Sequence, residues 1–258
     1  MGDTPGLLVE HRDGVAILTI AREARRNALD AATSAALDAA VDAAEADPAL
    51  RVLLLTGAGD RAFCSGMDLK EAAESGAGQG LIPRRGFGGL TERRRRKPLI
   101  VALNGAAVAG GFEIMLAADI VIAAEHAVLG LPEVKRGLFA FAGGIQRLAR
   151  SVPRATALGL ILTGEPIPAR RAWELGLVTE VVPAAGLMPR ALEIAAMLAG
   201  YDAATLERAR ALHDFAAAAP IDESLRFGRA WGEETLRSAA AREGIGAYAE
   251  GREAKFDG

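Results

Sequence analysis

The stretch from Lys97 to Arg150 constrains this chain most. Leu99 to Leu103 is a short, wholly apolar run that stops at Asn104-Gly105, a turn signal. Its length and composition predict a buried strand. Gly110-Gly111 then opens a predicted helix over Phe112 to Ala118, and Asp119 leads into a second apolar run, Ile120 to Ala124. Strand, helix and strand in such quick succession predict an α/β fold. A glycine pair at the mouth of a helix lets a ligand approach the main chain and aims unpaired N–H groups at it. Glu113 falls in that first turn, where the helix dipole favours a negative side chain, and Glu133 follows Leu131-Pro132 in a predicted loop. On these residues alone two readings stand. One is a polarising N–H beside two acids in apolar surroundings. The other is close packing at the glycines, a capping glutamate and a surface turn.

The rest of the chain extends the alternation. Leu7 to His11 and Val15 to Ile20, parted by Arg12-Asp13-Gly14, predict a β-hairpin with an Asp-Gly turn. Ala21 to Ala28 is an Arg-rich loop. Asp30 is placed to cap a helix that runs to about Ala46 and ends before Pro48. Arg51 to Thr56 predicts a strand, and glycine-rich Glu74 to Leu90 predicts a loop or frayed helix. Helices are expected over Pro153 to Leu162, Ala169 to Leu175 and Leu187 to Ala199, with a strand at Leu177 to Val182. Asp202 to Ala219 and Ile221 to Tyr248 complete a nearly all-helical final third, the last in more than one piece. Leu206, Leu212, Phe215, Leu225, Phe227, Trp231 and Leu236 give that third more apolar face than one chain readily covers, so a subunit interface is expected, with intrachain packing the other reading.

With 258 residues, 51% of them hydrophobic, the chain can bury a sizeable core. A net charge of -3 gives no general pull towards nucleic acid or anionic membrane, and no apolar run nears the roughly 18 residues of a membrane span. The N-terminus lacks a basic region followed by an apolar core, and Cys64 is the sole cysteine, so a reducing cytoplasm is the expected home. Cys64 has no histidine beside it in the motifs and reads as a packing residue. His11, His126 and His213 show no ligand spacing, so no metal site is expected. The basic run Arg93-Arg94-Arg95-Arg96-Lys97 has three readings: a nucleic-acid patch, a grip on anionic phosphates, or the solvated end of a helix with cations set against its dipole.

Several ordered motifs resemble the enoyl-CoA hydratase/isomerase, or crotonase, superfamily. They are NALD at residues 27–30, AFCSGMDLK (Ala62 to Lys70), NGAAVAGGFEIMLAADI (Asn104 to Ile120), LPEVKRGL (Leu131 to Leu138), GGIQRL (Gly143 to Leu148) and TGEPIPARRAWELGLVTEVV (Thr163 to Val182). They cover most of the chain in family order. The resemblance implies a crotonase-type spiral of repeated ββα units over residues 1–195, with a helical oligomerisation segment over 196–258 that forms trimers or hexamers. It implies an acyl-CoA thioester substrate, with coenzyme A part of the substrate and no separate cofactor. Contacts to it are expected at Ala28, Ser65, Met67, Asp68, Leu69, Lys70 and Gly110. The backbone N–H groups of Met67 and Gly110 are expected to form an oxyanion hole, and Glu113 and Glu133 to be the catalytic acids. Met67 stands where relatives often carry alanine, and Phe139-Ala140-Phe141 where they often carry proline or glycine; both departures bear on the acyl pocket. Hydration of a 2-enoyl-CoA is the first expectation. Carnitinyl-CoA (crotonobetainyl-CoA) dehydration, Δ3-Δ2 isomerisation or thioester hydrolysis with Glu133 as the lone acid, and a non-catalytic CoA-ester- or RNA-binding role are the alternatives.

Overall fold

The computed structural model describes residues 6–76, 78 and 80–256. The predicted hairpin is present as β1 (Leu7–Arg12) and β2 (Val15–Ile20). Asp13 and Gly14 take φ of +48° and +79°, the left-handed pair that a two-residue turn between twisted strands requires. Next comes α1 (Ala31–Ala46), with Asp30 accepting from the Thr33 N–H at 2.7 Å, then β3 (Val52–Gly57) and β4 (Ala62–Cys64). The expected loop from Glu74 onwards contains the end of α2 (Leu69–Ser75) and a small hairpin of β5 (Leu81–Ile82) and β6 (Gly86–Phe87); Ala77 and Gln79, part of that reading, lie outside the described residues, as do the first five of the N-terminal reading. The central stretch supplies β7 (Leu99–Leu103), β8 (Ala106–Val108), α3 (Gly110–Leu116), β9 (Ile120–Ala124) and β10 (Val128–Gly130). After a 3-10 turn at Pro132–Arg136 come α4 (Gly144–Ser151), α5 (Arg154–Thr163), β11 (Ile167–Pro168), α6 (Ala169–Glu174), β12 (Glu180–Val182) and α7 (Leu187–Ala199). Helices α8 (Ala203–Ala216), α9 (Ile221–Leu236) and α10 (Ala239–Glu250) end the chain.

The main sheet has the order β1-β2-β3-β7-β9-β12, parallel from β2 onwards. Strands buried on both faces read as continuous apolar runs, which is why Leu53-Leu54-Leu55 shows no alternation with polar residues. Alternation persists in where the side chains go. Leu53, Leu55, Val101 and Val121 enter the main core with α1, whereas Leu54, Ile100 and Ile122 face Leu187, Ala191 and Ile194 of α7. The division expected at residues 195/196 falls inside this helix. The second sheet, β11-β10-β8-β4, has three parallel strands. Each turn of the chain lays one strand in either sheet and then a helix (β3-β4-α2, β7-β8-α3), the spiral of ββα units that the resemblance implied. Two buried asparagines lock the corners. Asn104 accepts from the Gly57 N–H at 3.0 Å and donates to the Gly59 and Ala62 carbonyls, while Asn27 donates to the Ala58 and Ala62 carbonyls.

The basic run is not a helix end. Residues 91–98 form turns and bends, and three of their cations, Arg93, Arg95 and Lys97, are taken up internally, while Arg94 and Arg96 are exposed. The Arg93 guanidinium pairs with Asp38 and Asp42 of α1. Arg95 is buried against Asp119 at 2.8 Å and donates to the Ala117 carbonyl, while Lys97 Nζ donates to the carbonyls of Ala44 and Asp47. The cations do meet helix dipoles, but at the C-terminal ends of α3 and α1 rather than of a helix of their own. Among the described residues no helix is long and apolar enough to cross a membrane.

Candidate active site

Strands β4, β8 and β10 run parallel, so their C-terminal ends emerge along one edge, the place where open α/β sheets bind ligands. Each end delivers one piece of a site. Beyond β4 come Ser65, Gly66 and Met67; beyond β8, Ala109 and Gly110; beyond β10, Pro132 and Glu133. The first two loops touch. Gly66 has φ +88°, and a Cβ there would lie 2.9 Å from the Ala109 Cβ and 3.0 Å from the Gly110 nitrogen. Ala109, at φ +52° and ψ -129°, turns the chain into α3 in a conformation a non-glycine residue rarely adopts. Neither the Met67 nor the Gly110 N–H has an acceptor among the described residues. Gly110 lies under the Phe87 ring, and a Cβ at Gly111 would overlap the Cys64 carbonyl, so the glycine pair is needed for close packing as well as for open donors.

These loops wall a cavity of about 720 Å³. Ala28, Ser65, Met67, Asp68, Leu69, Lys70, Gly110, Glu113 and Glu133, all expected from the sequence, line it together. Ala28 arrives through Leu29, which pairs with Met67 as a short parallel bridge. Asp68 caps α2, accepting from the Lys70 N–H at 3.1 Å, and meets Arg22, which also pairs with Asp30 at 2.6 Å. Burial opposes ionisation of Asp68, yet the Lys70 N–H, Arg22 and the Glu71 N–H hold its carboxyl below the usual range. Arg25 and Arg26 line the wall and Arg22 sits behind it; an Arg-rich loop in the sequence carried no signal to tell these roles apart. Leu138, Phe139 and Phe141 form another wall, the two rings edge to face with centroids 5.8 Å apart.

Glu113 is 4% exposed. Its Oε1 accepts from the Gly144 N–H at 2.9 Å, a contact hidden in the sequence because a glycine pair before a helix does not say what its N–H groups will meet. Burial first, and then the neighbouring Glu133 charge, push its carboxyl up to about 7, against the N–H groups of Gly144 and Ala142 and the charge of Arg147. Glu133 is raised too, by burial, with its own N–H and Arg136 opposing. Its Oε2 is buried without a hydrogen-bond partner among the described residues. Cys64 is wholly buried and its thiol is pushed up to about 12, which removes it as a nucleophile. A cavity with two raised carboxyls and two open N–H donors can stabilise an oxyanion while moving protons on either side of it.

The sequence model of the enoyl-CoA hydratase/isomerase family matches residues 10–258. This chain belongs to that family. It is 36% identical over 239 residues to carnitinyl-CoA dehydratase of Proteus mirabilis, a span covering 91% of this chain and 92% of that one. Its fold is similar to the crystal structure of enoyl-CoA hydratase from Mycobacterium tuberculosis H37Rv, with TM-score 0.92 and 38% identity over 98% of this chain and 99% of that one. A carnitinyl-CoA hydratase structure from Mycobacterium avium has 40% identity and TM-score 0.78, covering 98% of both chains.

Proposed function

We propose that this protein is an enoyl-CoA hydratase, adding water reversibly and syn across the double bond of a 2-enoyl-CoA thioester. The observation that carries this reading is the pair of raised carboxyls, Glu113 and Glu133, in one cavity with the open N–H groups of Met67 and Gly110. Water attacks the β-carbon as Glu113 orients it and takes its proton. The π electrons move towards the thioester, whose oxygen becomes an enolate oxygen held by the two N–H groups. Glu133 gives its proton to the α-carbon, so the product gains one hydroxyl and one hydrogen. An oxyanion donor of this kind is worth about a hundredfold in rate. The thioester itself activates the double bond, so the step calls for no cofactor beyond the coenzyme A of the substrate. Isomerisation or hydrolysis would need only Glu133, and the presence of both acids favours hydration.

A second reading is dehydration of a carnitine-bearing acyl-CoA by the same two acids, which the Proteus mirabilis relative favours. Exposed Leu225, Leu236, Ile245 and Tyr248 on the terminal helices support assembly of residues 196–258 into trimers or hexamers, which light scattering would test. A cytoplasmic setting fits a CoA-ester substrate. The deciding experiment follows loss of the enoyl-thioester absorbance of crotonyl-CoA with wild type, Glu113→Gln and Glu133→Gln. Loss that stops in both variants supports hydration by the pair. Full turnover in Glu113→Gln would move the reading to a reaction that uses Glu133 alone, and turnover of carnitinyl-CoA but not crotonyl-CoA would favour the second reading.

A further inference from the structure

Arg147 is a half-buried cation held, like Arg51 and Lys97, by a backbone carbonyl. It has no salt bridge to a carboxylate among the described residues, although Arg93 and Arg95 do. From α4 it folds back over Gly143, which takes φ +105°; a Cβ there would collide with the guanidinium. Its Nη2 donates to the Thr91 carbonyl. Thr91 is wholly buried, and its Oγ1 accepts from the Phe87 N–H at 2.8 Å. The Phe87 ring in turn lies on Gly110. One continuous brace thus runs from the Gly143-Gly144 turn that holds Glu113 to the residue that carries the second open N–H.

We propose that Arg147 is a positioning residue for Glu113, locking the Gly143-Gly144 turn against the carboxylate and supplying a positive field that favours its ionised form. The proposal rests on the reading of Glu113 as the group that activates water. The charged groups facing Glu113 are Glu133 from the 3-10 turn after β10 and Arg147 from α4, with the N–H groups of Gly144 and Ala142 beside them. Glu92, Asp214 and Arg95 act on Arg147 in turn, the first two favouring its charge and the last opposing it. Among the described residues the guanidinium hydrogen-bonds the Thr91 carbonyl and no carboxylate, so no ion pair cancels its field, which acts on Glu113.

The test is a carboxyl 13C NMR titration of the folded, full-length protein, with the Glu113 signal assigned by its loss in Glu113→Gln. The wild-type midpoint is expected at about 7. Arg147→Gln should raise it by about half a unit, a threefold shift in the ionisation equilibrium, and Arg147→Lys should restore most of the difference. The acid limb of the hydration rate should move with it, while KM for crotonyl-CoA changes less than about twofold. An unmoved midpoint in folded Arg147→Gln overturns the proposal. Should that variant not fold, the Arg147 Nε–H signal of the wild type takes its place. It should titrate with the Glu113 midpoint and stop doing so in Glu113→Gln, and a signal that ignores Glu113 overturns the proposal equally. A wild type that hydrates no enoyl-CoA, yet shows the shifted midpoint in Arg147→Gln, removes the hydratase reading and supports the coupling.

Discussion

Gly144 donates its backbone N–H to Oε1 of Glu113 across 2.9 Å, tying the first turn of α4 to the first turn of α3. A Cβ at Gly144 would lie 3.0 Å from the Glu113 Cγ and Oε1 and as close to the Ala140 Cβ. Gly144→Ala should therefore push the Glu113 side chain aside by a few tenths of an ångström or more and loosen its hold on the Gly144 N–H. The expected loss in kcat for crotonyl-CoA is about tenfold to a hundredfold, since misplacing a reacting group by about 1 Å costs that much. Stopped-flow turnover beside a thermal melt checks it; unchanged kcat in a folded variant would show that Glu113 does not need this anchor.

Stability should depend on pH through Glu113. Its carboxyl ionises at about 7 in the folded protein, against an ordinary value of 4.5. Between those values the folded form holds a proton that the unfolded chain has lost, so stability falls as pH rises from 4.5 through about 7 and stays lower above. Glu113→Gln escapes this penalty while keeping an oxygen for the Gly144 N–H. It should melt above the wild type at pH 8, by about 1–3 kcal/mol, with much of the gain gone at pH 5. An equal gain at both pH values would show that the carboxyl is not raised.

The basic run should behave as internal structure. Arg95 has a side chain 4% exposed that donates to Asp119 and to the Ala117 carbonyl, so Arg95→Met removes both contacts from a buried site and should cost about 1–3 kcal/mol in urea denaturation. Arg94 is exposed, and Arg94→Ala should change stability by less than about 0.5 kcal/mol. Comparable losses in the two variants would contradict the assignment.

Phe139 and Phe141 should set which acyl groups are accepted. Both line the cavity, and they are 61% and 52% exposed, so trimming them opens space without emptying a core. Replacing both by alanine should raise kcat/KM for a decenoyl-CoA relative to crotonyl-CoA by about tenfold, or about 1.4 kcal/mol. Matched kinetics on the two substrates decide it, and an unchanged ratio would place the acyl tail elsewhere.

Legibility in the sequence followed the length of each signal. Asp30 ahead of an alanine-rich run, closed by Pro48, marked α1 nearly to the residue. The five-residue runs of β7 and β9 were plain because strands buried on both faces have no polar interruptions. The second sheet left no trace of its own, since Ala62–Cys64, Ala106–Val108 and Val128–Gly130 are too short to display any period. Glu113 and Glu133 stood out only through the motifs around them; a lone glutamate in a first turn does not announce burial. The contacts of Arg93, Arg95, Gly144 and Arg147 depend on segments far along the chain, and no local pattern encodes them.

Ala109 holds a left-handed φ with a side chain that glycine would not carry. A glycine would reach φ +52° freely, but an alanine there has few neighbouring conformations to wander into, and its methyl is pressed against Gly66. The peptide that carries the Gly110 N–H is thereby held still before any ligand arrives. In the hydration proposed above, a donor that does not swing would have no reorientation left to perform as negative charge forms in front of it, and that part of the barrier would be settled when the chain folds.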